Sequence, residues 1–277
     1  MVTFRYGQRS GYAFAVYGQV SADSVFDKRW HLFSHVLEGM CENRSEILQR
    51  TMKGATMELQ EAISNRRSIR CFLSKPVSDD TIQELISESL WAPSWANTQP
   101  WDIVVVTGEP LELFKKANKE ALIAGDTSHP DIPIPKQWPD TLKKRHMDLG
   151  KSLFDSLGID RDDAEGRVEY YAQMYYLFDA PALILFLIDK ELPLEYTMLD
   201  IGIFLQTFFL LAHDKGLGTC AFAGTVHCPE IVHKHFGIPE SKLLVIGAAV
   251  GWPDPRASIN NFERKRGKVE EFARWIH

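Results

Sequence analysis

The chain has 277 residues, 45% of them hydrophobic, which is enough to bury the core of one large domain or of two small ones. Its formal net charge of −6 argues against a nucleic-acid-binding function, because that function requires a basic face. The sequence has no run of about 18 apolar residues, so we predict no membrane span. Basic clusters in this acidic chain are therefore local features.

The N-terminus and the cysteines indicate a cytoplasmic protein. No uninterrupted apolar stretch follows the first basic residues, so a secretory signal is not predicted. The four cysteines have neither the spacing of a zinc site nor the density of a disulfide framework. We predict that they are reduced thiols, as cytoplasmic cysteines usually are. They are Cys41, Cys71, Cys220 and Cys228.

Residues 1–56 differ from the rest of the chain. Their aromatic residues are scattered without a steady period, and only residues 27–52 show a loose helical spacing of apolar side chains. We predict an N-terminal extension that is loosely ordered and not needed for chemistry. The alternative is an arm that packs on a partner subunit, and the sequence does not distinguish the two. A domain covering residues 57–277 follows.

The first half of this domain combines helices with one strand. Its predicted elements are a helix over 58–65, a helix over 78–91, a strand over 102–107 and a helix from 110 to about 124. The first helix has Leu59, Ala62 and Ile63 on its apolar side. Ser78 is a suitable N-cap for the second helix. The strand is apolar and rich in β-branched residues, which favours a central position in a sheet.

A long excursion separates this half from the next strand. A proline-rich loop is followed by two charged helices, over 141–157 and 161–177. Insertions of this size are usually lids or binding loops. We therefore predict that residues 125–173, here called the lid, form such an insertion.

The second half of the domain contains three further strands. Its predicted elements are a strand over 182–188, a helix over 196–215, a strand over 219–223, a helix over 229–236, a strand over 242–250 and a short helix near the C-terminus. The helix over 196–215 is apolar nearly all round, which indicates that both of its faces are buried, one of them against a second copy of the chain. Because strands and helices do not alternate strictly, we predict an α+β fold with a sheet flanked by helices.

The segment RRSIR is the first candidate site. On an extended chain Arg66, Ser68 and Arg70 point to one face, whereas Arg67 and Ile69 point to the other. Two guanidinium groups beside a hydroxyl form a clamp for phosphate, because each guanidinium donates charge-assisted hydrogen bonds in pairs. The alternative is a solvated basic patch on the surface.

A polar turn between two prolines is the second candidate site. Within residues 92–101, Ser94, Asn97 and Gln99 can direct donors and acceptors toward the edge of a heterocycle. The alternative is a loop that joins a helix to a strand, in which Asn97 satisfies its own backbone.

Single glycines, histidines and acidic residues give weaker signals. Gly216 has the position of a helix C-cap, and Gly224 allows the backbone to approach a flat ring closely. His233 and His235 are two residues apart in a short helix and face different directions, so we predict no metal site. Asp200 is an acidic residue in an apolar helix, and we interpret it as a polar anchor.

Several stretches together resemble the FMN-dependent nitroreductase family in order and spacing. They are RRSIRCF, APSWANTQPW, FDAPALILF, GLGTCAFAG, GAAVGWPDP and the basic cluster RKR at residues 264–266. The resemblance extends from about residue 57 to the C-terminus, and the first two motifs are the most specific. The lid resembles that of the larger members, which include nitrobenzoate reductases.

The resemblance implies a mixed, mostly antiparallel sheet in an intertwined homodimer, with two FMN sites at the interface. It implies that Arg66 and Ser68 hold the phosphate and ribityl chain, and that Arg70 lies near the N1–O2 edge of the flavin, where a cation favours reduction. The implied cofactor contacts are Arg66, Arg67, Ser68, Arg70, Pro93, Ser94, Trp95, Asn97, Gln173, Ala223, Gly224, Arg264 and Arg266.

Several of these contacts are implied to have particular origins. The turn residues 93–97 would come from the partner subunit, and the backbone at Ala223 and Gly224 would meet flavin N5 and O4. Arg264 and Arg266 would complete the phosphate clamp. Gln173 lies near the place where many relatives have asparagine or lysine, and Ala223 stands where some have glutamate.

The implied activity is that of an NAD(P)H-dependent FMN oxidoreductase. NADPH or NADH donates hydride to flavin N5 and leaves, and a nitroaromatic, quinone or similar small-molecule acceptor replaces it in a ping-pong scheme. No residue is expected to act as a catalytic acid, because positioning and electrostatics are the tasks left to the chain. The alternatives are a specialised flavin enzyme of the family, such as a reductive dehalogenase or an enoyl-type reductase, and a flavin-binding module without turnover.

Overall fold

Four antiparallel strands form one sheet in the computed structural model, which describes residues 57–125, 129–135 and 137–277. The strands are β1 (Asp102–Thr107), β2 (Ala182–Asp189), β3 (Gly218–Phe222) and β4 (Lys242–Gly251). Their order in the sheet is β1-β2-β4-β3. The predictions for residues 1–56, including the thiol of Cys41, lie outside the described residues.

Helices cover both faces of the sheet. They are α1 (Leu59–Asn65), α2 (Asp79–Ser89), α3 (Gly108–Ala124), α4 (Asp140–Ser156), α5 (Ala164–Tyr175), α6 (Leu194–Asp214), α7 (Pro229–Phe236) and α8 (Ser258–Asn261). The predicted α+β fold with an antiparallel sheet is confirmed. The short helix predicted near the C-terminus is a single 3-10 turn, Val269–Glu271. The lid contains α4 and most of α5, and its role as a lid stays a prediction.

Strand β2 divides the core into two layers. Seven of its eight residues are buried, and alternate side chains point to opposite faces of the sheet. Leu183, Leu185 and Leu187 pack toward α3 and α7 on one face. Ile184 and Phe186 pack toward α2 and α6 on the other face. This alternation fixes the sheet between two helical layers.

Strand β1 does not have the central position that its composition suggested. Within the part of the chain that the structure describes, it pairs with β2 alone and forms one edge of the sheet, while β2 and β4 are central. Val105 of β1 keeps 41% of its surface exposed. A short β-branched run indicates a strand but not its neighbours, since pairing is decided by the rest of the chain.

Two helices expose apolar side chains that the sequence placed in a core. In α1 only Ala62 is buried, whereas Leu59 and Ile63 are 67% and 55% exposed. In α6 one side is buried in the core, but Leu199 is 62% exposed and Ile203 also faces outward. The prediction that both faces of this helix are buried therefore does not hold within a single chain.

Helix α6 is also the one helix among the described residues with the length and apolar composition to cross a membrane, and 33% of its most apolar window is buried. Its inner side carries Phe204 and Phe208, which are fully buried against the sheet. These contacts are those of a helix in the core of a folded domain.

The segment that carries the arginine cluster is held against the edge strand β3. The Ile69 backbone N–H donates to the Thr219 carbonyl at 3.0 Å, and the Ile69 side chain is buried against Gly218. A Cβ atom on Gly218 would lie 2.5 Å from Ile69 Cγ1, which is closer than side chains pack. Glycine at this position therefore sets the approach of the arginine-bearing segment to the sheet.

We predict that Gly218→Ala lowers the free energy of unfolding by about 1–3 kcal/mol, the usual result of overpacking a filled site. The matched control is Gly150→Ala in α4, where an added Cβ meets no atom within 4 Å. The control variant should gain about 0.5–1 kcal/mol, because alanine suits a helix interior better than glycine does. Urea denaturation measures both changes, and equal midpoints for the two variants would contradict the packing argument.

Candidate functional site

Five arginines line one cavity beside β3, and its volume is about 120 Å³. The lining residues are Arg66, Arg67, Ser68, Arg70, Leu149, Asn260, Phe262, Arg264 and Arg266. None of these residues is acidic. Five cationic side chains, with no carboxylate among the lining residues that the structure describes, favour an anionic ligand.

Hydrogen bonds to backbone carbonyls tie the two basic clusters together, although 198 residues separate Arg66 from Arg264. The Arg264 guanidinium donates to the carbonyls of Ser64, at 2.8 Å, and of Arg66. Arg67 Nη1 donates to the Asn260 carbonyl at 2.7 Å. These bonds bring the clusters together without neutralising them, because a carbonyl carries no net charge.

Arg67 differs from its predicted orientation. The strand-like alternation placed it away from Arg66, Ser68 and Arg70, yet it lines the same cavity. Around Ser68 the segment makes only an isolated bridge to β3, so the strict alternation of a regular strand does not apply. Ile69 does point away from the cavity, and its side chain is part of the core.

The cationic side chains raise the electrostatic free energy of one another. Burial lowers the pKa of Arg66, and the charge of Arg266 lowers it further. Burial also lowers the pKa of Arg264, followed by the charges of Arg67 and Arg266. At the end of α6, the pKa of His213 is lowered by burial and then by the charges of Arg66 and Arg264. A bound anion would relieve this repulsion.

The polar turn of residues 92–101 lies apart from the cavity lining of its own chain. Pro93, Trp95 and Asn97 are exposed to solvent. The Ser94 hydroxyl accepts a hydrogen bond from the Gln99 backbone N–H at 2.9 Å. This hydrogen bond is of the kind that the capped-loop alternative implies, although it involves Ser94 and not Asn97. Contacts of this turn with a cofactor stay a prediction.

The shape of this turn depends on an acidic residue from α6. Asp200 is buried, and its Oδ1 accepts a hydrogen bond from the Trp95 backbone N–H at 3.0 Å. Ala96 and Asn97 have φ angles of 47° and 57°, in the left-handed region that side chains disfavour. The hydrogen bond to Asp200 on α6 holds the turn in this strained conformation. The interpretation of Asp200 as a polar anchor is therefore confirmed.

The remaining predicted cofactor contacts lie along α5 and the turn after β3. The side chain of Gln173 is buried, and its Nε2 donates to Glu169 Oε1 at 3.2 Å. Gly224 lies in the 3-10 turn Ala223–Thr225, where an added Cβ would be 3.5 Å from the Tyr175 ring. This is ordinary contact, so the chain itself does not require glycine there. Contacts of these residues with a cofactor stay predictions.

Asn260 is a site residue that the motifs did not indicate. Its side chain is buried, its Oδ1 accepts from the Arg70 backbone N–H at 2.8 Å, and its Nδ2 donates to the Cys71 carbonyl at 2.8 Å. It therefore holds the arginine segment to α8. An asparagine in a four-residue helix has no local signal of such a role, whereas a buried acid in an apolar helix, as at Asp200, does.

Histidines and cysteines form separate structural contacts. Among the described residues, no group of three or more histidine, cysteine, aspartate or glutamate side chains is placed to hold a metal ion. His227 Nδ1 lies 2.8 Å from the Tyr175 hydroxyl, and His233 Nε2 lies 3.3 Å from Asp131 Oδ2. The three described cysteines, at positions 71, 220 and 228, are buried.

The fold is α+β, and the cavity beside β3 has a strongly cationic lining. A model of the nitroreductase family matches residues 63–252 of the chain. The chain therefore belongs to the nitroreductase family, and the prediction of the family is confirmed.

Named relatives cover most of the chain. A 4-nitrobenzoate reductase of Pseudomonas putida is 30% identical over 225 residues, which are 80% of this chain and 96% of the relative. A nitrobenzene nitroreductase of Ectopseudomonas oleovorans is 30% identical over 79% of this chain and 97% of its own.

Solved structures agree with the sequence relatives. The FMN- and NADPH-dependent nitroreductase NfnB of Sphigopyxis sp. strain HMH is 29% identical and has a TM-score of 0.77, covering 80% of this chain and 100% of its own. NfnB of Mycobacterium smegmatis, solved in complex with NADPH, is 26% identical with a TM-score of 0.75, over 79% of this chain and 97% of its own.

We predict that Asp200→Ala lowers the free energy of unfolding by about 1–2 kcal/mol, because the Trp95 N–H loses a charged acceptor. Asp200→Asn keeps an oxygen at this position and should lose less. Chemical denaturation compares the two variants. Equal losses would show that the hydrogen bond to the turn is not what Asp200 contributes.

Proposed function

We propose that the cavity binds the phosphate of FMN and that the chain uses NAD(P)H to reduce nitroaromatic compounds, quinones or similar electron-poor acceptors. The observation that carries this proposal is the convergence of five arginines on one cavity, with no acidic residue among the described residues that line it. A phosphate group carries a charge of about −1.5 to −2 at neutral pH, which matches this unbalanced positive field. The names of the nitroreductase relatives supply the reaction class.

The residues present fit the phosphate end of such a cofactor. Arg66, Ser68 and Arg266 combine guanidinium and hydroxyl donors around the cavity. Its volume of about 120 Å³ is smaller than the roughly 300–1,000 Å³ of a complete small-molecule pocket. The rest of the FMN molecule would extend out of the cavity, toward the turn Ala223–Thr225 and toward the second subunit.

The work of the chain in this proposal is positioning and electrostatics. When bound, FMN supplies the ring that accepts hydride and passes it on. The proposal includes no general acid from the chain. Arg70 contributes a fixed cation, and NAD(P)H and the acceptor are proposed to occupy the same place in turn, as in a ping-pong scheme.

We also propose a homodimer that completes the site. Exposed apolar side chains occur on α1, on α6 and after α2, and they include Leu59, Ile63, Trp91, Leu199 and Ile203. A set of this kind usually marks an interface, and a second copy of the chain would cover it. Its turn at residues 93–97 would then face the cavity, as the resemblance implies. Light scattering on the FMN-bound protein tests this, and a monomer contradicts it.

The bacterial nitroreductase relatives also support a cytoplasmic location as part of the proposal.

The purified protein tests the activity directly. We expect a yellow protein that consumes NADPH or NADH when nitrobenzoate or menadione is added. A protein that neither binds FMN nor oxidises NAD(P)H would contradict the proposal. Bound FMN without turnover would identify a binding module, and turnover confined to halogenated or enone substrates would identify a specialised enzyme of the family.

We predict that Arg66→Ala weakens FMN binding by roughly 1.5–3 kcal/mol, the contribution of a hydrogen bond to a charged group. The affinity of the apoprotein for riboflavin, which lacks the phosphate, should not change. Arg161→Ala is the control, because Arg161 is an exposed arginine outside the cavity. Fluorescence titration measures both ligands. Unchanged FMN affinity, or an equal loss for riboflavin, would refute the phosphate clamp.

A further inference from the structure

Three side chains on one face of α4 make three different contacts. Arg145, Leu149 and Leu153 are spaced four residues apart, so they lie on the same side of the helix. Leu153 is buried in the domain, and Leu149 lines the arginine cavity. Arg145 contacts the C-terminal segment, residues 264–272, which begins with two of the cavity arginines. Helix α4 therefore extends from the core, past the cavity, to the segment beyond it.

Arg145 makes two contacts with the C-terminal segment. Its Nη2 donates to Glu271 Oε2 at 2.7 Å, and its guanidinium lies over the Phe272 ring, 4.9 Å from the ring centroid. The other carboxylate oxygen, Glu271 Oε1, accepts a hydrogen bond from the Lys268 backbone N–H at 2.7 Å. Because its own segment already fixes the carboxylate, the ion pair with Arg145 costs less side-chain entropy than a pair of two free side chains.

The C-terminal segment folds back onto its own beginning. A Cβ atom on Gly267 would lie 2.5 Å from Phe272 Cε2, so the ring packs directly on the backbone at this glycine. Gly267 follows Arg266, which lines the cavity. The contacts that hold Arg145 are therefore attached to the same short stretch of chain that carries the cavity arginines.

The first half of α4 has few other attachments. The buried side chains of this helix, Leu153 and Phe154, lie near its C-terminal end, whereas Leu149 is 47% exposed. Among the described residues, Arg145 is the one side chain in the first half of α4 that makes a hydrogen bond to another element. The part of α4 beside the cavity is thus held at its far end by Arg145.

We propose that Arg145 is a positioning residue that latches α4 over the cavity, through Glu271 and Phe272, and so limits the entry and release of FMN. The proposal rests on the proposed function, because it requires that FMN occupies the cavity. A latch of this kind acts on the rate of opening, since entering and leaving ligand meet the same obstacle. The ion pair is about half exposed, with side-chain exposures of 43% and 48%, so the latch opens readily.

The test is Arg145→Ala, measured as the rate of FMN binding to the apoprotein and the rate of FMN release from the holoprotein. We expect both rate constants to rise about fivefold, the most that an exposed ion pair usually contributes, while the dissociation constant stays the same. Loss of a ligand contact differs, because it weakens binding, as we predict for Arg66→Ala. Lys144→Ala is the matched control, since it removes the same charge from α4 but its ion pair with Asp148 lies within the helix.

Hydrogen exchange on the protein without ligand tests the latch independently of FMN. Arg145→Ala should speed amide exchange in residues 140–149 and leave the exchange of β2 unchanged, because only the far end of α4 is released. Glu271→Gln removes the charge but keeps an oxygen for the Lys268 N–H. It should act in the same direction as Arg145→Ala and add nothing to it in the double variant.

Four results would each overturn the proposal. They are unchanged rates in Arg145→Ala, faster release without faster entry, an equal effect in Lys144→Ala, and additive effects in the double variant. Failure of the proposed function is distinguishable from these, because the unmodified protein would then not bind FMN. In that case the exchange of α4 would still respond to Arg145→Ala, but a role of the latch toward FMN would be refuted.

Discussion

Charge repulsion among the five arginines of the cavity is the constraint on which the rest of the structure depends. Two basic clusters from distant parts of the chain meet beside β3, and their guanidinium groups donate to backbone carbonyls of the opposite segment. Carbonyl acceptors satisfy the donors but leave the charge in place. Folding therefore concentrates positive charge at one point, and a bound anion would offset that electrostatic cost.

The rest of the fold provides a rigid support for this arrangement. Strand β2 is buried on both faces, and β3 holds the arginine segment through Thr219 and Gly218. Asn260 connects the same segment to α8. Through these contacts the cationic side chains are positioned by backbone geometry. A site whose supports are part of the core keeps its shape before the ligand arrives.

Local signals in the sequence were sufficient for most elements. Ser78 caps α2 as its position predicted, and β1 and α7 have the predicted limits, because capping and periodicity are properties of neighbouring residues. The edge position of β1 depends on pairing between distant segments. The exposure of Leu59 depends on which side of α1 packs on the domain. Neither property is encoded within a few residues.

The site was predictable in part for the same reason. Unusual local composition identified both arginine clusters and the proline-bounded turn. The role of Asn260 arises only when α8 packs beside the arginine segment, so the sequence alone did not reveal it. The predicted orientation of Arg67 was wrong, because a single β-bridge does not enforce the alternating side-chain directions of a strand.

The wide separation of the two clusters along the chain has a consequence for biogenesis. Ribosomes release a polypeptide from its N-terminus onward, and the first cluster emerges long before Arg264 and Arg266. Until the later cluster is available, the α1 carbonyls lack their guanidinium donor and the cavity is incomplete. The cavity is consequently complete only after the segment that carries Arg264 and Arg266 has been translated.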